Sequence, residues 1–337
     1  MIYLFMFIFT LSFGLTWGLR SYAIAKQIMD TPNHRSAHTV PTPRGGGLAF
    51  VFSTLIAIPF LKELGFLTPD GSLALMAAGV FVASLGFLDD HGHVAPIWRL
   101  VGHFTACILA LYWMGGFPPL VLFTWTLSGG MIVNGLGLLY LVWCVNLYNF
   151  MDGIDGLAAI EAVTACAGMA FLYWLCGQQS LMVLPLALMV SVGGFLCWNF
   201  PPARIFMGDA GSGFLGFIVG VLSIQSAFVN PQFFWSWLII LGVFFVDATF
   251  TLLRRLGRLE KIYEAHATHG YQYASRYFGH HVSVTMGIMI INVIWLFPIA
   301  LCVGLDKLNG LVGLMIAYLP LVLLAYSFDA GKKYNMG

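Results

Sequence analysis

Long apolar runs alternate with short polar segments along the whole chain. The runs fall near residues 1–24, 45–62, 72–88, 98–115, 131–148, 157–176, 180–198, 211–228, 233–252, 284–304 and 309–327. Each approaches the roughly 20 apolar residues that carry a helix across a bilayer. They are apolar all round, unlike the short alternating segments of a membrane β-barrel. The expected fold is all-α, a polytopic membrane protein with about 11 transmembrane helices. No low-complexity tract, internal repeat or soluble domain interrupts the pattern, so residues 1–337 read as one integral membrane domain.

Composition strengthens this reading. Hydrophobic residues make up 60% of the chain and charged residues 9%, against about 25% charged in soluble domains. With alternating spans, all but Lys62 and Lys307 of the 15 Lys and Arg fall on one side. The positive-inside rule then places the N-terminus outside and the C-terminus in the cytoplasm. The first run has no basic leader and no small-residue cleavage site, so it is expected to be a retained span. A net charge of +1 with no basic domain argues against nucleic acid as a partner. All six Cys lie in apolar runs without a CxxC pair, as expected of packing residues.

The polar chemistry is concentrated in inner loops at 25–44, 89–97, 149–156, 199–210 and 253–283. Asp89 and Asp90 are adjacent carboxylates at a span end. Repulsion and partial burial there raise at least one pKa, which suits proton transfer or cation holding. Asn149, Asp152 and Asp155 lie between two spans, beside Gly153 and Gly156. Asp152 and Asp155 would share a helix face and could also serve as N-terminal caps. Asp209 stands among Gly208, Gly211 and Gly213 at a helix entry, where small residues allow a phosphate or another helix to approach closely. No Gly-Lys-Ser/Thr follows, so this is not a Walker loop. Asp209 with Asn149 or Asp152 would suit Mg2+, with Mn2+ as an alternative. Mg2+ takes oxygen ligands, usually one or two carboxylates plus substrate phosphates. Zinc is disfavoured because no Cys lies near these motifs.

Arg35, His38 and Arg44 sit in a proline-stiffened loop before a triple glycine and could neutralise phosphate; Arg204 is a further cation in the 199–210 loop. His266 and His269 would share a face if their segment is helical. Beside a diphosphate an imidazole is pushed toward its charged form. His280 and His281 read as loop residues. Within spans, His103 and Asp247 stand out, each about one turn from the inner end, and Asp247 is a secondary site candidate. The midplane otherwise reads as nearly clean of ionisable groups.

Together these stretches resemble the polyprenyl-phosphate N-acetylhexosamine-1-phosphate transferases. The resemblance runs from Asp30 to Arg276 and rests on Leu88-Asp89-Asp90, Asn149-Phe-Met-Asp152-Gly-Ile-Asp155-Gly and Phe206-Met-Gly-Asp209-Ala-Gly-Ser212. The form His266-Ala-Thr-His269 is similar to the branch that starts O-antigen and other surface polysaccharides. The resemblance implies that Asp89 and Asp90 activate or position a lipid phosphate. It implies that Asp209 binds Mg2+ with Asn149 beside it, and that Asp155, Asn199 and Phe206 hold uracil, Phe206 by stacking. His266 and His269 would lie against the diphosphate, although the family's denser histidine cluster is here reduced to two. The implied reaction joins a sugar-1-phosphate from a UDP-sugar to undecaprenyl phosphate at the cytoplasmic face of a bacterial inner membrane, in a protein whose relatives suggest a homodimer. A secondary transporter of an anion is the alternative, but its ionisable residues should sit near mid-bilayer.

Overall fold

The structure is a computed structural model that describes residues 1–32, 40–92, 94–260 and 266–333. The candidate Arg35, with His38, lies outside the described residues. Every expected apolar run coincides with a helix or helix pair: α1 (Ile2–Ala25), α2 (Leu48–Glu63), α3 (Pro69–Gly92), α4 (Pro96–Met114), α5 (Gly130–Met151), α6 (Leu157–Leu175), α7 (Gln179–Asn199), α8 (Asp209–Ala227), α9 (Pro231–Ile240) with α10 (Gly242–Leu256), α12 (His281–Gly304) and α13 (Gly310–Ser327). A short helix, α11 (Gly270–Phe278), lies in the longest loop. The strands are a two-residue pair, Met29–Asp30 with Thr42–Pro43, and a hairpin, Leu120–Leu122 with Trp125–Leu127.

The fold is all-α and membrane-spanning. Among the described residues, nine helices are long and apolar enough to cross a bilayer, or ten if the bent pair α9–α10 forms one span. At 16 residues, α2 stops short of that length. Just before it, Gly46 and Gly47 give their N–H groups to the Phe206 and Met207 carbonyls, 2.9 Å away in each case.

The span expected at 233–252 is made of two helices bent by 70°. At the break, the Tyr318 hydroxyl donates to the Leu238 carbonyl at 2.7 Å, so a side chain from α13 serves backbone that a continuous helix would serve itself.

At the centre stands α8, almost entirely buried and packed by α2, α3, α5 and α9. Small residues let neighbours come this close. A Cβ on Gly47 would lie 2.6 Å from the Gly211 Cα, and one on Gly86 would lie 2.5 Å from the Ala210 nitrogen. These contacts bring the inner ends of α2 and α3 onto the first turn of α8. The starts of α4, α6 and α12 and the ends of α5, α7 and α10 meet the same end of the bundle.

Candidate active site

The turn into α8 is made by Gly208, whose φ of +82° favours glycine. A Cβ there would also meet the Asp90 carboxylate at 2.8 Å. Asp90 accepts from the Asp209 and Ala210 backbone amides at 3.0 and 3.2 Å, capping α8 from another span. Arg44 places one guanidinium nitrogen 2.7 Å from both Asp90 and Asp209. Arg99 pairs with Asp89 and reaches the other Asp209 oxygen at 3.3 Å. The second Asp89 oxygen accepts from the Val94 amide at 2.8 Å.

Three aspartates therefore alternate with two arginines around one helix mouth. The arginine side chains are 35% and 30% exposed, while Asp90, Asp89 and Asp209 are 5%, 10% and 21% exposed. An arriving anion would meet the arginines first.

Asn149 and Asp152 border this cluster. The Asn149 amide donates to Ser212 Oγ at 3.2 Å. Burial, then the charge of Asp209, push the Asp152 carboxyl well above its ordinary pKa, with Arg44 opposing. Among the described residues, no three His, Cys, Asp or Glu side chains form a metal cluster by themselves. Asp209, Asn149 and Asp152 would supply oxygen ligands of the kind that Mg2+ takes, with water and substrate phosphates completing its shell.

On one flank, Asn199 joins α7 to α6. Its oxygen accepts from the Gly156 amide at 3.1 Å, and its amide donates to the Ile205 carbonyl at 2.9 Å. Asp155 accepts from the Ala203 amide at 2.9 Å and lies 3.0 Å from His281 Nδ1, while its carbonyl accepts from Thr285 at 2.8 Å. Phe206 is half-buried in the adjoining turn, its amide bonded to the Pro43 carbonyl at 2.8 Å.

On the other flank lies the histidine motif. Residues 266–269 are not helical, and His269, extended, is the residue before α11. The cause is Asp247, which reaches out of α10 to accept from the Gly270 and Tyr271 amides at 2.9 and 2.8 Å. That carboxylate starts α11 at Gly270 and meets His269 Nδ1 at 3.2 Å. Asp247 is buried rather than reaching a membrane interface. The two imidazoles still stack, 4.9 Å between centroids, and Phe150 stacks on His269 at 6.2 Å. Burial, with His269 and Arg255 beside it, lowers His266 to about 3, so without a diphosphate it is neutral.

The structure brings Asp89, Asp90, Asp209 and Arg44 into one hydrogen-bonded group, with Asn149 and Asp152 at its edge. Arg204 stands apart, its guanidinium 5.7 Å over Trp198. Sequence reasoning overlooked Arg99, which lies ten positions after Asp89 across a tight turn and folds back upon it. His281 was also missed, and so was Glu161, an ionisable residue in the second turn of α6. An acid at position 161 of an apolar run was a visible signal.

Residues 72–227 match the family described as Glycosyl transferase family 4. The chain is 28% identical over 242 residues to a probable undecaprenyl-phosphate N-acetylglucosaminyl 1-phosphate transferase of Bacillus subtilis (strain 168), covering 71% of this chain and 67% of the relative. It is 33% identical over 229 residues to a phospho-N-acetylmuramoyl-pentapeptide-transferase of Geobacillus kaustophilus (strain HTA426), covering 63% and 68%. Similarity to a decaprenyl-phosphate N-acetylglucosaminephosphotransferase of Mycobacterium tuberculosis (strain ATCC 25618 / H37Rv) is 33% over 219 residues, covering 58% of this chain and about half, 53%, of the relative.

Proposed function

The chain belongs to glycosyl transferase family 4, and on that footing we propose that it is a membrane-bound phosphoglycosyltransferase. It moves a sugar-1-phosphate from a UDP-N-acetylhexosamine, or a 6-deoxy relative, to undecaprenyl phosphate and releases UMP. The reaction takes place at the cytoplasmic face of a bacterial inner membrane and starts a surface polysaccharide such as O-antigen. The observation that carries this reading is the helix mouth where Asp89, Asp90 and Asp209 interleave with Arg44 and Arg99.

A lipid-phosphate oxygen attacks the β-phosphorus of the donor, and the bond from that phosphorus to the bridging oxygen breaks toward UMP. The acceptor is largely dianionic near neutral pH, since a phosphate ester has a second pKa of about 6. Positioning then matters more than strong base catalysis. Asp209, Asn149 and Asp152 are the residues that would hold Mg2+. Bound there, the ion supplies charge neutralisation for the diphosphate. Incoming phosphates compete with the aspartates for Arg44 and Arg99, the outermost groups of the cluster. Phe206 stacks on uracil, with Asp155 and Asn199 framing that pocket, and His266 with His269 closes on the diphosphate.

The test uses membranes containing the chain, undecaprenyl phosphate and a panel of UDP-sugars. Magnesium-dependent release of UMP together with a lipid-linked sugar is expected for at least one donor. No UMP above that of vector-control membranes across the panel would overturn the reading.

A further inference from the structure

Glu161 lies in the second turn of α6, fully buried, and no cation pairs with it among the described residues. Its partner is Asn292, itself 1% exposed, on α12. The Asn292 amide donates to Glu161 Oε2 at 2.6 Å and to Thr164 Oγ1 at 2.9 Å. Thr164 in turn donates to the Ile160 carbonyl at 2.8 Å. Two buried atoms then remain without a partner among the described residues, Glu161 Oε1 and Asn292 Oδ1.

Donor accounting decides what this arrangement needs. Both Asn292 amide hydrogens are committed, and the threonine hydrogen is committed to backbone. If Glu161 were ionised, the two leftover oxygens would both be acceptors, and an unpaired charge would be buried within a membrane span. A hydrogen on Oε1 turns that atom into a donor, and Asn292 Oδ1 is the unsatisfied acceptor on the residue that already pairs with Glu161. Exchanging the oxygen and nitrogen of the Asn292 amide changes nothing, because a carboxyl oxygen would then face an amide oxygen and still require a proton.

We propose that Glu161 is held as a neutral carboxylic acid in a closed acid–amide pair with Asn292, and that this pair is a positioning element for the donor site. Its place in α12 explains the second half. His281, Thr285 and Asn292 follow one another at intervals of four and seven residues, which keeps them on one helix face. His281 and Thr285 hold Asp155, and Asn292 holds Glu161 six residues further along the same chain segment. A π-helical turn, Ile291–Leu296, begins at this level of the helix. These polar contacts thus dock α12 on α6 and on the loop before it, with the acid–amide pair as the deep one. The positioning half rests on Asp155 serving the donor; the protonated acid does not.

Infrared difference spectra of purified protein in nanodiscs, wild type minus Glu161→Gln, test the proton directly. At neutral pH the wild type should show the carbonyl stretch of a protonated carboxylic acid, shifted in D2O and absent from the variant. A carboxylate band alone would overturn the proposal. Kinetics test the positioning. Glutamine can offer both a donor and an acceptor to Asn292, so Glu161→Gln should keep the donor KM within about twofold, and a much larger change would count against a neutral acid. Glu161→Leu should raise the donor KM by about tenfold while kcat changes less, the size expected for losing one buried hydrogen bond. Should that variant fold poorly, the double substitution Glu161→Leu with Asn292→Leu removes the unpaired amide. A folded double variant with a wild-type KM would overturn the positioning role. If the wild type transferred no sugar at all, the proposed function would fall while the infrared result still stood.

Discussion

Asp90 caps the helix that Asp209 begins, accepting the Asp209 amide at 3.0 Å and the Ala210 amide at 3.2 Å. The adjacent carboxylates of Asp89 and Asp90 therefore have different occupations. Asp90, 5% exposed, holds the architecture of the α8 mouth, whereas Asp89 is turned to Arg99 and the Val94 amide. Removing the cap by Asp90→Ala should destabilise the protein by about 1–2 kcal/mol, the usual worth of a side-chain cap. Asp90→Asn retains an acceptor and should lose less. Thermal unfolding in detergent would compare the two, and equal stabilities for alanine and asparagine would argue against capping.

Asp209→Asn should abolish turnover with the fold intact. Losing the charge that holds a divalent cation removes several kcal/mol of transition-state stabilisation, more than about 100-fold in rate. UMP release at saturating Mg2+ checks this, with circular dichroism as the folding control. Near-normal turnover would remove Asp209 from the metal site.

Phe206→Ala should weaken donor binding by about 1–3 kcal/mol, the usual cost of losing an aromatic stack on a base. Lipid affinity should barely change. Separate KM measurements for the UDP-sugar and the lipid would tell, and a selective fall in lipid affinity would refute the uracil assignment.

The pH response of His266 has a definite sign. Its folded value, about 3, lies below the ordinary 6.5, so the unfolded chain binds more protons between those limits. This contribution to stability is complete above about 6.5 and is lost as pH falls toward about 3. Melting curves between those limits should be flatter for His266→Gln than for the wild type. A donor diphosphate would raise His266 again, so binding should take up a proton and tighten as pH falls. Calorimetry in buffers of different ionisation enthalpy would detect that uptake, and equal apparent enthalpies would exclude it.

Much of the architecture was readable along the chain because a bilayer demands local properties. A span must supply about 20 apolar residues and satisfy its own backbone, so hydropathy alone located every apolar span. The polar loops announced Asp89, Asp90, Asn149, Asp152, Asp155 and Asp209 because charge and glycine stand out against so apolar a background. Their gathering at one end of the bundle likewise followed from the alternation of spans.

What no single segment could reveal was how neighbouring helices are rotated and registered against one another. Hydropathy reports whether a residue avoids water, not which helix it touches. The bend at Leu241, the hydrogen bonds at the start of α2, the caps supplied by Asp90 and Asp247, and the pairings of Arg99 with Asp209, of His281 and of Glu161 all arise from groups far apart in sequence. Each satisfies backbone or charge that another segment leaves open, so only the packed tertiary structure decided them. The amino-acid sequence by itself determined the membrane class, the helices and the chemical inventory of the site. The division of labour among those residues came from packing, because buried polar groups must find partners wherever the fold happens to place them.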